Sequence, residues 1–419
     1  MRLVAPWGLK KEDHVSSRNS RRATILGAAL LGAAMGTIFL ESAHAQFACP
    51  SPPQVHFVFR KDVWTGIDAE IFVNSKLAPI LGVSPTIIDA GSGAPSVTGV
   101  QAACDGGGCL AAGAHYAITF AGAGGGLGAN PVGDAFTSSL PFGFSAQEHH
   151  QWLWDGGGLA LEQASYDVLS GGEVKVIPII MSGPEHGLWW RDVSLPWQGG
   201  HRALPNTVAA AEAVFEGQLM RFFGNGGRLM VDCFGVSNLV TPGVTPYGLM
   251  QSQSVIGTDF LSASGDLDVF IDRPGLNVLN AGSVEDPAGP ITSFGYKTFY
   301  AEGWHQLFDV FELLINRNYY DNCLTDDQRD ALHEVGRSFM LESREMGIER
   351  NRQAVKEIRQ HLQGVGGSFH NSAWPQKLLN ELQFCASTLF AEIAASDANF
   401  KAVFDSMNAF KPYDPQGHP

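Results

Sequence analysis

The chain has 419 residues, 45% of them apolar and 16% charged, which is enough to bury a sizeable core and to build two domains. Its 42 Asp and Glu against 27 Lys and Arg leave a formal net charge of −15. That balance excludes nucleic acid and anionic membrane surfaces as partners, although one buried arginine can still reverse the field locally.

The chain opens on a leader. Arg18, Arg21 and Arg22 precede an apolar run from Ala23 to Leu40, and the run ends in Ala43-His44-Ala45, a small-x-small cleavage site. Residues 1–45 are therefore expected to be a signal peptide that is removed, leaving a periplasmic protein that begins at Gln46. Ser20-Arg21-Arg22-Ala23-Thr24-Ile25-Leu26 resembles a twin-arginine signal, which would export the chain already folded. The leader holds six basic and three acidic residues, so the mature part carries about −18. Six cysteines, at 49, 104, 109, 233, 323 and 385, are free to pair in an oxidising compartment. Cys104 and Cys109 flank Asp-Gly-Gly-Gly closely enough to bridge, and the connectivity stays open.

Residues 55–60 (VHFVFR), 86–89 (TIID) and 115–120 (HYAITF) read as strands and 67–81 as a helix, an order that implies a mostly parallel sheet. The third strand runs into a glycine-rich loop, from Gly122 to Gly128. Such a loop can cradle a phosphate, but Asn130-Pro131 follows it and offers no helix to complete the cradle. Ser145, with Glu148 three residues on, opens a capped helix. His149 and His150 on that helix point about 100° apart, which suits surface or lobe packing and not a shared metal ion. Residues 173–180 (EVKVIPII) form a long strand. In the short strand Leu219-Met220-Arg221-Phe222-Phe223 a single arginine stands among apolar neighbours. A buried arginine needs a counter-charge, either an acid of this chain or an anion that arrives as ligand.

Residues 299–316 (FYAEGWHQLFDVFELLIN) read as one buried strand with Trp304, His305 and Gln306 in its middle, three side chains whose polar atoms need partners. Thr325 with Gln328 caps a helix running to about Leu362; residues 364–369 return as a strand, Trp374-Pro375 opens another helix, and a last helix covers Ala398–Phe410.

Seven segments in order resemble the extracytoplasmic solute receptors of tripartite ATP-independent periplasmic (TRAP) transporters, especially the mannitol/chloroaromatic or 2-oxo acid subgroup. They are 140–158 (LPFGFSAQEHHQWLWDGGG), 183–191 (GPEHGLWWR), 220–224 (MRFFG), 303–306 (GWHQ), 311–316 (FELLIN), 372–379 (SAWPQKLL) and 400–410 (FKAVFDSMNAF). The resemblance implies an α/β fold of two lobes joined by crossing strands, with ligand held in the cleft. One lobe would comprise residues 46–180 and 307–362, the other 181–306 and 363–411, with a tail at 412–419. It implies that Arg221 binds a ligand carboxylate through its planar fork of donors. Trp189 and Trp304 would be apolar walls, and Glu185 and Gln306 oxygen ligands of a bridging sodium or calcium ion. The subgroup's acidic metal segment, Ile-Asp-Ala-x-Glu-Trp, departs here to Leu267-Asp268-Val269-Phe270-Ile271-Asp272. That leaves Asp272 as the acidic candidate and Glu185, where the subgroup has Gln, as the residue that would restore the charge. The implied partners are a small organic acid and the TRAP permease membrane subunits, with the long helix at 326–362 able to support a homodimer. The chain has no Gly-x-Ser-x-Gly, His-Glu-x-x-His or Cys-x-x-Cys, so it is expected not to be an enzyme. The alternative is a periplasmic cofactor-dependent enzyme exported folded, with Gly122 to Gly128 as its phosphate loop.

Overall fold

A computed structural model describes residue 49 and residues 56–59, 64–82, 84–89, 116–119, 131–137, 140–198, 200–239, 246–260, 262–272, 289–371 and 374–413, all within the unit Phe47–Pro419. The leader, the loop at 122–128 and the Cys104/Cys109 pair lie outside the described residues.

Strands β1 (His56–Phe59), β2 (Thr86–Asp89) and β3 (Tyr116–Thr119) pair in parallel, with helix α1 (Trp64–Ile71) between the first two. Two longer strands, β4 (Val174–Met181) and β8 (Val310–Asn316), complete a five-stranded sheet in the order β2-β1-β3-β8-β4, and β8 runs antiparallel to both its neighbours. A second sheet holds β5 (Trp189–Arg191), β6 (Gly257–Thr258), β7 (Tyr296–Tyr300) and β9 (Ser368–His370) in the order β6-β5-β7-β9. β4 is a near-continuous apolar run because it is covered on both faces, as strands flanked by helices usually are. The strands expected at 55–60, 86–89, 115–120 and 173–180 form within a residue or so.

The segment 299–316 does not form one strand. It is divided between β7 in the second sheet and β8 in the first, and 301–309 is the irregular stretch that passes from one to the other. Hydrophobicity alone made it look continuous, because both halves are buried.

Helices α2 (Pro131–Thr137), α3 (Ala146–Asp155), α4 (Gly158–Ser170), α5 (Gly224–Phe234), α6 (Asp326–Gly364), α7 (Gln376–Ser396) and α8 (Ala398–Phe410) pack around the sheets. Contrary to the expectation from Asn130-Pro131, a helix does begin at Pro131, because proline is readily accepted in the first turn, where its missing N–H has no partner to lose. The two capping boxes hold: Ser145 and Glu148 satisfy each other's backbone N–H groups, as do Thr325 and Gln328. α6 has 39 residues, roughly 58 Å of helix. Its early buried residues, Leu332 and Phe339, join the core beneath the first sheet, and its late ones, Ala354, Ile358 and Leu362, join the core of the second. Midway along, Gly347 meets Gly183, just beyond β4, backbone to backbone: a methyl group on Gly183 would lie 2.5 Å from the Gly347 carbonyl carbon. Two disulfides, Cys49–Cys323 and Cys233–Cys385, close loops of 274 and 152 residues. Links across loops of this size stabilise by roughly 2–4 kcal/mol each, and the second fastens α5 to α7. Among the described residues no helix is long and apolar enough to cross a membrane.

His149 and His150 are both buried. His149 lies in an aromatic nest of Trp152, Phe144 and Phe308 and donates from Nε2 to the Phe136 carbonyl at 2.8 Å, while His150 reaches the Arg337 carbonyl at 2.9 Å. Burial pushes the His149 imidazole down from 6.5 to about 3. The unfolded chain therefore takes up this proton first as pH falls. The stabilisation is complete above pH 6.5 and is lost progressively towards pH 3, on the order of 5 kcal/mol in all. His149→Leu is expected to lower stability at pH 7, since the Phe136 carbonyl loses its donor, and to flatten the slope of stability against pH between 6.5 and 3. Urea denaturation across that range measures both effects, and an unchanged slope would show that another group controls it.

Candidate functional site

The passage between the sheets, 301–309, is pinned by backbone. Gly303 donates its N–H to the Glu185 carbonyl at 3.1 Å, and a Cβ at 303 would meet the carbonyl oxygens of His186, Glu185 and Gln306 at 3.0–3.1 Å. A side chain there would crowd three carbonyl oxygens at once. The turn buries Trp304 and His305 and leaves Gln306 half-buried. So Trp-His-Gln faces neither a strand core nor open solvent, but a polar cluster assembled where the two sheets meet.

Arg221 lies just past the two-residue strand Leu219–Met220, shorter than the sequence suggests, and pairs as a single bridge with Thr258. It is 4% exposed, and its counter-charge is Asp259. Nη1 of Arg221 donates to the Asp259 carbonyl at 2.6 Å and to Oδ1 at 2.7 Å, while Oδ2 accepts the Phe223 N–H at 3.0 Å and lies 3.2 Å from His305 Nε2. Burial alone would raise the Asp259 carboxyl, yet Arg221 and these donors hold it well below the usual carboxylate range. Of the two counter-charges a buried arginine could have, this chain supplies the first itself.

Three further acids surround the pair. Asp266 accepts Trp189 Nε1 at 2.8 Å and lies 2.8 Å from His186 Nε2. Asp309 receives the Gln306 amide on its side chain, and its own N–H donates to Ser182 Oγ at 2.7 Å. Glu185 lies near the same hydroxyl, 3.5 Å away. Burial, and then the negative charge of Asp309, push Glu185 well above its ordinary range; burial pushes Asp309 up to about 6 against the pull of its bond to Glu185. The pair holds one proton in common, with Glu185 the protonated member.

Of the residues singled out in the sequence, Arg221, Glu185, Gln306 and Trp304 converge here. Trp304 packs on Phe142 at 5.4 Å and Trp374 at 4.9 Å, and its buried Nε1 has no hydrogen-bond partner. Trp189 contributes its N–H to Asp266, but its ring is fully buried against Phe299 in the second core, which makes it a packing residue more than an open wall. Asp272 does not join them. It is exposed at the end of the segment Leu267–Asp272, and the acid this region sends inward is Asp266, six residues earlier.

Asp259, Asp266, Asp309 and Asn225 had no local signature in the sequence, since Asp259 lies 38 residues from its arginine. Asn225 was concealed in Gly224-Asn225-Gly226-Gly227, the first turn of α5, which has no side-chain cap. Stripped of side chains at three of four positions, this turn lets neighbours close on its backbone: a Cβ at Gly226 would sit 2.7 Å from His305 Cβ. Asn225 is 3% exposed, with neither amide atom partnered. Phe142 and Leu188, flanking the cluster, hold left-handed φ values of 60° and 85°, strain of the kind that concentrates at functional sites.

Asp259→Asn is expected to leave Arg221 buried without its charge partner and to cost about 3–5 kcal/mol of stability. Urea unfolding at pH 7 measures it. A loss below about 1 kcal/mol would mean that the pair does not organise the site.

No family model matches the chain. It is 23% identical, over 280 residues and 66% of its length, to the monocarboxylate 2-oxoacid-binding periplasmic protein of Nostoc sp., and spans 63% of that relative. Among solved structures it superposes on a TRAP periplasmic solute-binding protein from Pseudoalteromonas atlantica with bound sodium and pyruvate, with a TM-score of 0.62, 17% identity, and 85% of this chain and 93% of that one covered. A TRAP solute-binding protein from Bordetella bronchiseptica, a mixed-occupancy dimer with calcium and picolinate, matches with a TM-score of 0.61 at 16% identity, covering 86% of this chain and 92% of that one. The chain has the two-lobe α/β fold of the TRAP periplasmic solute-binding proteins.

Proposed function

We propose that the protein is an extracytoplasmic solute receptor. It captures a small organic carboxylate in the periplasm, in the cleft between its lobes, and delivers it to a TRAP-type membrane permease. The first sheet belongs to one lobe (46–180 and 307–362) and the second to the other (181–306 and 363–411), with the export leader removed before Gln46. No catalytic step is required of it. The observation that carries this reading is Arg221, buried at the meeting of the two sheets and fixed in orientation by Asp259. A guanidinium so fixed presents a rigid fork to a carboxylate, and little ordering is left to pay at binding. Asn225, Trp304 Nε1 and His305 Nδ1, buried without partners, are the additional polar atoms a bound acid would satisfy.

A cation fits beside it. Glu185, Asp259, Asp266 and Asp309 are four buried acids around one buried arginine, an excess of negative charge that sodium or calcium would offset. Among the described residues no three His, Cys, Asp or Glu side chains form a ready ligand set. Glu185, Asp309 and Gln306 would therefore share the ion with oxygens of the acid itself, and the ion would supply a fixed positive charge against the ligand.

Thermal unfolding of the refolded mature chain against mono- and dicarboxylates, 2-oxo acids and aromatic acids, with calcium, sodium or chelator, tests the reading. The cognate acid at 100 times its dissociation constant should add about 2.7 kcal/mol. Arg221→Lys keeps a charge for Asp259 but loses the fork, and should weaken binding by roughly 10- to 100-fold. No shift with any acid would overturn the receptor reading. Glu185→Gln should reduce the calcium or sodium dependence of that shift, and unchanged metal occupancy in this variant would remove Glu185 from the ion site.

A further inference from the structure

The site contains one residue that a plain anion receptor has no need of. Asp134 lies in the middle of α2, 3% exposed, and neither carboxylate oxygen has a side-chain hydrogen-bond partner. It abuts the first turn of α5. Gly224, at φ +56°, is the point of contact, where a Cβ would lie 3.0 Å from the Asp134 carboxyl carbon. The same turn carries Asn225, with both amide atoms unpartnered, and is closed on its other side by His305, whose Nδ1 is also unpartnered. Five buried polar atoms without side-chain partners thus gather around one turn of helix, and buried polar atoms are rarely left so unless something else satisfies them.

Most of this set suits an anion. The N-terminus of α5, the Asn225 amide and the neighbouring Arg221 all favour negative charge. Asp134 does the opposite. Burial pushes its carboxyl up to about 7 against the pull of the Arg228 charge and the Asn225 backbone N–H. Above that pH it is ionised and offers only acceptors, and a second acceptor brought against it would leave both unpaired.

We propose that Asp134 reads a hydrogen-bond donor next to the ligand's carboxylate, so that the receptor takes a 2-hydroxy or 2-amino acid in preference to the matching 2-oxo acid. This rests on the receptor reading and narrows it. The carboxylate lies towards Arg221 and Asn225, and the hydroxyl or ammonium on the adjacent carbon lies towards Asp134. A site built to pair a ligand's O–H or N–H discriminates strongly against the analogue that lacks it, because its own buried group is then left without a partner.

The test is calorimetric titration at pH 8.5, where Asp134 is ionised, of the refolded mature chain with sets of 2-hydroxy, 2-amino and 2-oxo acids of matched carbon skeleton. The sets run from three to six carbons and include an aromatic member. At the preferred skeleton, a hydroxy or amino acid should bind about 100-fold more tightly than the oxo acid. Asp134→Asn, isosteric and able to donate, should bring that ratio to within about threefold by strengthening the oxo acid and weakening the other. Asp134→Ala should do so by weakening the hydroxy or amino acid alone. Equal or tighter binding of the oxo acid by the unaltered chain overturns the proposal and leaves the receptor reading intact, as does an unchanged ratio in Asp134→Asn. Failure of every acid to bind the unaltered chain overturns both.

Discussion

The Asp259 carboxylate is the junction on which the site depends. An arginine cannot be held 4% exposed without compensation, and Asp259 provides it while also taking the N–H of Phe223 and facing His305. Those contacts tie the segment before α5, the backbone entering α5 and the passage between the two sheets to one side chain. The network is fully engaged at this point, so it specifies geometry instead of merely tolerating charge. The neighbouring acids are organised differently. Asp266 is stabilised by the Trp189 indole, and Glu185 and Asp309 hold a proton in common. One part of the cluster is therefore rigid and already paired, while another is strained electrostatically.

The distribution of glycine makes this arrangement possible. Gly303, Gly224, Gly226 and Gly227 leave out side chains where carbonyls, Asp134, His305 and Asn238 approach the backbone. The Cys233–Cys385 bridge anchors the far end of α5 to α7, so its N-terminus is presented from a fastened support.

Much of the scaffold could be read locally. Capping boxes at Ser145 and Thr325 are contiguous four-residue signals with a direct backbone consequence, and the helices they open begin where expected. Strands flanked by glycine and proline were equally legible. Residues 299–316 misled because burial is the same in two sheets as in one, and the break depends on Gly303 meeting carbonyls 117 or more residues earlier in the chain. The site shows the same division. Arg221 stood out because a charge among apolar neighbours is anomalous wherever it occurs. Asp259 did not, because an aspartate 38 residues away carries no mark of its partner. Counting along the motif points to Asp272, whereas the fold turns Asp266, just before that segment, inward.

The contact between Gly183 and Gly347 gives the long helix a mechanical character. Gly347 lies roughly 31 Å from the start of α6 and roughly 26 Å from its end, with one core gripping each arm. Side chains fasten that contact on both sides: Ser343, one turn earlier on α6, takes the Met181 N–H at 3.0 Å, and Asn351, one turn later, donates to the Pro184 carbonyl at 2.6 Å. The long beam is thus clamped near its middle to the end of β4, with bare backbone as the bearing surface. A single methyl group at either glycine would act as a shim beneath the beam and prise those clamps open.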